Sequence, residues 1–304
     1  VRIPALHVCE LSISTLGRLE ETVSLVSVSP AERARHGTGH TQEDMYLLRN
    51  GLISSIRLPD AVAWPSSEDE VVALVELASS HNFCLIPFGG GTNVTHATRC
   101  PCKKVEPRPI VSVDMRSMNQ ILWLNEEDGV AQVECGITGS ALVKEMKRRG
   151  FTIGHEPDSL EFSTLGGWIA TRASGMKKNK YGNIENIVKG VRVVTPEGVL
   201  TQNERDGFVM GRVSTGVDLV STITGSEGCM GIITSAVIRV WPLAEVVDYE
   251  SIIFPRFEDG VRFVREVSQM DGEMPASVRL MDKDQFQLGR LLRPGSNFVD
   301  RMKE

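Results

Sequence analysis

The chain has 304 residues, of which 41% are hydrophobic and 24% charged, with a formal charge of -6 and six cysteines. That length holds two or three domains of about 100–200 residues each. An acidic balance speaks against nucleic-acid binding, which needs a basic face, and no apolar run of about 18 residues or more supplies a membrane-spanning helix.

Residues 1–55 read as a polar, irregular segment with one short helix, started by Ser29 as N-cap and Pro30 in its first turn. His36-Gly37-Thr38-Gly39-His40 reads as loop. Two histidines four apart hold a metal only on one helical turn, and the glycines argue against one. From Leu58 strands and helices alternate. Pro65-Ser66-Ser67-Glu68-Asp69-Glu70 caps a helix with Val71, Val72, Leu74, Val75 and Ala78 on its apolar face. A short buried strand, Cys84-Leu85-Ile86-Pro87, runs into a glycine loop, and Ile110 to Asp114 is another strand. Ile121 to Leu124 and Val130 to Glu134 flank a Glu126-Glu127-Asp128-Gly129 turn and read as a hairpin. Ser140 to Arg149 is a helix stopped by Gly150. Val188 to Thr195 and Val199-Leu200 form a second hairpin, Val217 to Ile223 a helix, and Ile232 to Trp241 a long strand. After Pro242 the order restarts with strand Ser251–Phe254, helix Phe257–Val267 and strand Ser277–Met281.

The cysteines Cys9, Cys84, Cys100, Cys102, Cys135 and Cys229 are scattered. Cys100-Pro101-Cys102 has no second pair to complete a zinc site, so no metal is expected, and reduced thiols fit an intracellular setting. Val1 opens no secretory signal, and Arg301-Met302-Lys303-Glu304 closes no obvious element; the chain reads as a piece of a longer protein.

Three clusters carry chemistry. Pro87-Phe88-Gly89-Gly90-Gly91-Thr92-Asn93 follows a strand. Consecutive glycines let backbone turn tightly, and successive N–H groups in such a turn make a concavity for anionic oxygen, with Thr92 and Asn93 as added donors. Neither the G-x-G-x-x-G nor the G-x-x-x-x-G-K pattern is present. The second cluster, His155 to Gly175, is dense in small and hydroxyl residues, a composition suited to lining a flat ring. The third, Gly225-Ser226-Glu227-Gly228-Cys229-Met230-Gly231-Ile232, is a glycine-rich turn feeding a strand.

Together these motifs resemble the FAD-binding domain of the vanillyl-alcohol-oxidase-type flavoproteins. Gly154-His155-Glu156-Pro157-Asp158-Ser159-Leu160-Glu161-Phe162-Ser163-Thr164, Thr171-Arg172-Ala173-Ser174-Gly175-Met176-Lys177-Lys178-Asn179 and Tyr181-Gly182-Asn183-Ile184-Glu185 are similar to the alkyldihydroxyacetonephosphate synthase family. That likeness runs from about Arg33 to Gly289. It implies an α+β fold: a PCMH-type FAD-binding domain of two α+β subdomains across residues 56–241, and the beginning of an α+β cap domain across 242–304. FAD is the implied cofactor. Its pyrophosphate would be gripped by Pro87, Phe88, Gly89, Gly90, Gly91, Thr92 and Asn93. Asp158, Ser159, Leu160, Glu161, Phe162, Ser163 and Thr164, with Thr171, Arg172, Ala173 and Ser174, would line the flavin and ribityl chain. Gly225, Ser226, Glu227, Gly228, Cys229 and Ile232 would close over the cofactor. Thr92 stands after the triple glycine where many relatives carry a flavin-linked His, so the link is expected to be non-covalent; His96 and His155 are the nearest candidates for a covalent one, with loop or supporting roles preferred.

The implied reaction replaces the acyl chain of acyl-dihydroxyacetone phosphate with a long-chain fatty alcohol, without net oxidation, the flavin supplying a nucleophile. Arg279 is the candidate for holding a phosphate or carboxylate; a salt bridge to Asp282 or Asp284 is the alternative. Lys177 and Lys178 are either solvated or face an anionic surface. The family's catalytic Tyr and His residues lie in a part of the pattern with no counterpart here, so none of Tyr46, Tyr181 and Tyr249 is assigned proton transfer, and no His lies beyond His155. An FAD-linked oxidoreductase of a 2-hydroxy acid and a catalytically silent FAD-binding partner protein are the other readings. The peroxisome, a homodimer and peripheral membrane contact come with the resemblance alone; no Ser-Lys-Leu-type address ends the chain.

Overall fold

A computed structural model describes residues 7–202, 214, 216–270, 272 and 274–292; the polar end 301–304 lies outside them. The N-terminal stretch is more ordered than its polarity implies. Ser12 accepts the Thr15 amide and caps α1 (Ile13–Thr22). After β1 (Leu25–Ser27), Ser29 caps α2 (Pro30–His36) with Pro30 in its first turn, as the sequence indicates, and Thr41 caps α3 (Gln42–Arg49). His36 is therefore the last residue of a helix, not part of a loop. β1 pairs antiparallel with β2 (Ala61–Trp64), so residues 7–55 are built into the first sheet and its surroundings.

α4 (Glu68–His81) begins at Ser67, whose hydroxyl accepts the Glu70 amide, and ends at Asn82 in the left-handed region with φ 56°. Its buried face is Val71, Leu74, Val75 and Ala78. β3 (Cys84–Phe88) and β4 (Ile110–Asp114) complete a four-stranded sheet of order β1-β2-β4-β3, in which β2, β4 and β3 run parallel. α4 packs one core against it with Ala61, Ala63, Val111 and Val113.

The second sheet is antiparallel throughout, of order β5-β6-β10-β8-β9. Its first hairpin is β5 (Ile121–Asn125) with β6 (Val130–Glu134). α5 (Gly139–Arg148), the short β7 (Phe151–Thr152), α6 (Leu165–Thr171), α7 (Lys178–Tyr181) and α8 (Ile184–Ile187) follow. Then come the hairpin β8 (Val188–Thr195) and β9 (Gly198–Gln202), α9 (Leu219–Ile223) and β10 (Ile232–Arg239). The strand expected to reach Trp241 breaks at Val240, and β11 (Trp241–Pro242) pairs separately with β7. Leu142, Met146, Trp168, Ile169, Ile184 and Ile223 fill the core over this sheet.

A polar tie joins the two layers. Glu68, on α4, accepts Arg192 Nε at 3.0 Å and Thr234 Oγ1 at 2.6 Å, from β8 and β10. Burial pushes its carboxyl up, but these bonds outweigh burial and hold it below the usual range. Glu68→Ala removes the shared acceptor of these two bonds and is expected to destabilise by about 1–3 kcal/mol, read as a lower urea midpoint.

Past Pro242 the described residues carry α10 (Phe257–Ser268) and α11 (Lys283–Leu291), the latter capped by Asp282. The strands expected at Ser251–Phe254 and Ser277–Met281 are not formed. Both segments still approach α10, since a Cβ on Gly260 would meet Leu280 at 2.6 Å and Phe254 at 3.3 Å. Their composition favours extended backbone, but no ladder joins them to a partner among the described residues, and a strand is stable only when paired.

Candidate functional site

The glycine turn leaves β3, an edge strand of the first sheet, at Phe88. Its glycines are required by contact with the second sheet's half of the molecule. A Cβ on Gly89 would lie 2.2 Å from Thr164 Oγ1, and one on Gly90 would lie 2.0 Å from the Phe162 carbonyl oxygen. Gly91 has φ +64° and sits on the Phe88 ring. Among the described residues, no backbone N–H from Gly89 to Asn93 donates to a protein acceptor. Thr92 is half-buried. Asn93, expected to add a donor, spends its side chain on its own loop, donating to Thr98 Oγ1 at 3.1 Å and accepting the Ala97 amide.

Residues 158–164 form the facing wall. Ser159 holds the left-handed conformation, φ 57°, and its carbonyl accepts the amides of Phe162 and Ser163. Gly139 N donates to Ser163 O and Ser140 N to Leu160 O, pinning the segment to the start of α5. Its hydroxyls, expected to face a ring, also make bonds within the protein. Ser163 Oγ accepts the buried Trp168 indole at 2.8 Å, and Thr164 Oγ1 caps α6 by accepting the Gly167 amide at 3.2 Å. Thr171 donates to Gly167 O and Ser174 to Asn183 Oδ1. These side chains fix the loop's shape, a task set by unpaired amides at a helix start and by buried polar groups. Asp158, Glu161, Phe162 and Arg172 are exposed, while Leu160 and Ala173 pack on the core.

The third cluster hangs from the end of α6. Gly225 N donates to Ile169 O and Glu227 N to Ala170 O. Gly228 lies against Pro87, with a Cβ there meeting the proline ring at 3.4 Å, and Gly225 lies beside Arg172. Ser226 is half-buried and Cys229 exposed. Ile232, expected over the cofactor, has its side chain buried in the core with Val194. The three clusters, separated by some sixty residues each in sequence, thus meet where the two sheets join.

Two buried histidines border this junction. His36 meets Glu32 O through Nδ1 at 2.7 Å and Asp114 Oδ2 through Nε2 at 2.9 Å. Its position in sequence hid it, because Asp114 is 78 residues away. His155 lies 5.2 Å from Trp168 ring to ring, against Gly175, and neither ring nitrogen has a partner among the described residues. Glu185 Oε2 is buried without one as well. Arg279 is exposed and meets Met176 Sδ at 3.7 Å, with no ion pair to Asp282 or Asp284. Lys177 pairs with Glu156 at 2.5 Å, whereas Lys178 is exposed. Tyr181 is packed over Gly154 and against Trp241, and Tyr46 and Tyr249 are exposed. Cys100 is buried, which pushes its thiol up to about 12, and Cys102 is exposed. No group of three or more His, Cys, Asp or Glu side chains among the described residues is arranged to hold a metal ion, and no helix there is long and apolar enough to cross a membrane.

A glycine turn whose successive amides have no protein acceptor among the described residues suits the pyrophosphate of a dinucleotide, so the residues present fit FAD. Residues 59–202 match the FAD-binding domain family, and residues 243–303 match the C-terminal domain family of FAD-linked oxidases. The chain is 47% identical over 265 residues to an alkyldihydroxyacetonephosphate synthase of Caenorhabditis elegans, covering 87% of this chain and 43% of that protein. Its identity to the Trypanosoma brucei brucei protein of the same name is 40%, with 88% and 42% covered. A solved alkyldihydroxyacetonephosphate synthase superposes with a TM-score of 0.87 at 32% identity, covering 99% of this chain and 56% of the other. The chain spans less than half the length of the curated relatives it matches. With both domains matched in order and the fold superposing along almost its whole length, the chain belongs to the FAD-binding flavoprotein family of the alkyldihydroxyacetonephosphate synthases, and its cofactor is FAD.

Proposed function

We propose that this chain is the FAD-binding portion of an enzyme that exchanges the acyl chain of acyl-dihydroxyacetone phosphate for a long-chain fatty alcohol, the step that makes an ether lipid. The observation that carries the reading is the placement of the synthase-like segment 154–183, which forms the wall between the glycine turn and Arg279. When bound, FAD supplies the nucleophilic chemistry. The chain's own residues do the rest available to them. Gly89 to Asn93 offer amides to the pyrophosphate, and residues 158–164 and 225–229 enclose it from either side.

Binding is taken to be non-covalent, because the turn carries Thr92 and no histidine, and His155 is enclosed beside Gly175. Acid precipitation of the purified chain should therefore release its ~450 nm absorbance to the supernatant; yellow colour remaining in the pellet would refute this. Arg279 is the residue proposed to hold the substrate phosphate, since its guanidinium is exposed and, among the described residues, has a thioether as its partner. Arg279→Gln should weaken dihydroxyacetone phosphate binding by roughly tenfold to a hundredfold, as charge-assisted bonds to phosphate do. FAD content should not change, so loss of flavin in that variant would point to a structural role.

The reaction reading is tested by supplying the flavin-loaded chain with acyl-dihydroxyacetone phosphate and labelled fatty alcohol. Formation of labelled ether product, even at low turnover, supports it. Flavin bleaching by a 2-hydroxy acid under anaerobic conditions would favour an oxidoreductase, and binding to a longer synthase without turnover would favour a silent partner. Peroxisomal residence, homodimer formation and peripheral membrane contact are part of the same proposal and rest on the resemblance; organelle fractionation and sedimentation test them.

A further inference from the structure

The glycine turn has few bonds of its own. Among the described residues, five consecutive amides are without protein acceptors, and the link from His40 N to Asn93 O, 3.0 Å, sits at its far end. Something else must fix its place. Gly91 rests on the Phe88 ring, with a Cβ there only 2.6 Å from Cζ. Phe88 in turn lies 4.4 Å, ring to ring, from His36, and Trp64 closes on His36 edge-on at 5.4 Å. His36 and Asp114 are fully buried. Asp114 also accepts the Trp64 indole at 2.8 Å and the Arg116 amide at 3.0 Å. Burial pushes the Asp114 carboxyl up, yet the bonds from His36 and Arg116 outweigh it and hold it below the usual range. It is ionised and only accepts. A main-chain carbonyl and a carboxylate thus sit at the two nitrogens of one ring, Glu32 O at Nδ1 and Asp114 Oδ2 at Nε2.

We propose that His36 is a positioning residue for FAD: clamped at both nitrogens, it sets the Phe88 ring, and through it the amides that receive the pyrophosphate. The inference rests on the turn from Gly89 to Asn93 being the pyrophosphate site. His36 touches no cofactor atom in this account. A clamped ring fixes rotation as well as position, and buried polar networks with every member satisfied are rigid. Preorganised amides bind an anion without first being ordered, which is where the gain in affinity arises.

The test measures the FAD dissociation constant and the melting temperature of the flavin-free protein for the wild type, His36→Leu, His36→Gln, Phe88→Leu and Gly90→Ala. His36→Leu should weaken FAD by roughly tenfold to a hundredfold, the usual cost of charge-assisted bonds. His36→Gln keeps one donor toward Asp114 and should recover part of that loss. Phe88→Leu removes the ring between clamp and turn while leaving the clamp intact, and should weaken FAD even if His36→Leu fails to fold. Wild-type FAD affinity in folded His36→Leu and in Phe88→Leu, with only the melting temperature lowered, would overturn the proposal and make His36 a core residue alone. Wild-type affinity in Gly90→Ala would instead overturn the pyrophosphate site itself.

Discussion

Gly90→Ala is expected to abolish flavin uptake. The added methyl would stand 2.0 Å from the Phe162 carbonyl oxygen and 2.5 Å from its carbon. Both are backbone atoms of a segment tied at Gly139, Ser140 and Leu165, so neither wall retreats cheaply. Overpacking of this kind costs about 1–3 kcal/mol or more, and all the relief available lies in moving the turn or residues 158–164 apart. A loss of at least ~100-fold in FAD affinity follows, about 2.7 kcal/mol. Flavin absorbance per protein after desalting measures it. Gly17→Ala is the control: its site on α1 is open, and a helix gains about 1 kcal/mol from the exchange. Flavin content should fall in the first variant and hold in the second.

Acid should unfold the wild type in a step that His155→Leu lacks. Burial drives the His155 imidazole down to about 4, with Glu185 pulling the other way, against an ordinary 6.5. Between those values the unfolded chain takes up a proton that the native ring refuses. Stability is therefore intact above about pH 6.5, declines as pH falls toward 4, and levels off below that. The interval corresponds to roughly 3 kcal/mol. At neutral pH His155→Leu should be as stable as the wild type or more so, because it removes two buried nitrogens that have no partner among the described residues. Urea titrations at pH 7.5, 6 and 5 test both signs. Parallel acid sensitivity in the two proteins would assign the loss to other groups. Should the variant also lose FAD, the free nitrogens would be identified as meeting a ligand.

How much of this was legible in the sequence depended on how locally each feature is encoded. α4 was readable because Ser67 and the 71–78 face declare a start and a side within one segment. The hairpin at Asn125–Val130 was readable for the same reason, with Gly129 at φ +63° in its turn. β1 was not, since three residues gain meaning only beside Trp64, Ala63 and Val62. The strands expected at 251–254 and 277–281 failed in the opposite way: extended propensity without a partner. Within the site, composition announced where glycine and hydroxyl residues cluster but not which way hydroxyls turn. Ser163, Thr164, Thr171 and Ser174 answer nearby backbone and side-chain groups, and those geometries exist only after α6 forms. His36 with Asp114 could not be found from spacing, as their partnership depends on β4 lying beside β2.

The glycine turn belongs to the parallel sheet, whereas its facing wall belongs to the antiparallel one, and between the sheets the direct polar tie described is Glu68 with Arg192 and Thr234. A molecule bound across that seam is a ligand of the assembled pair and not of either half. Linkage then makes cofactor supply a term in the protein's own survival: at a free concentration one hundred times the dissociation constant, occupancy adds about 2.7 kcal/mol to the folded state. Cells short of riboflavin would hold less of this protein, through unfolding and degradation, before any rate constant changed.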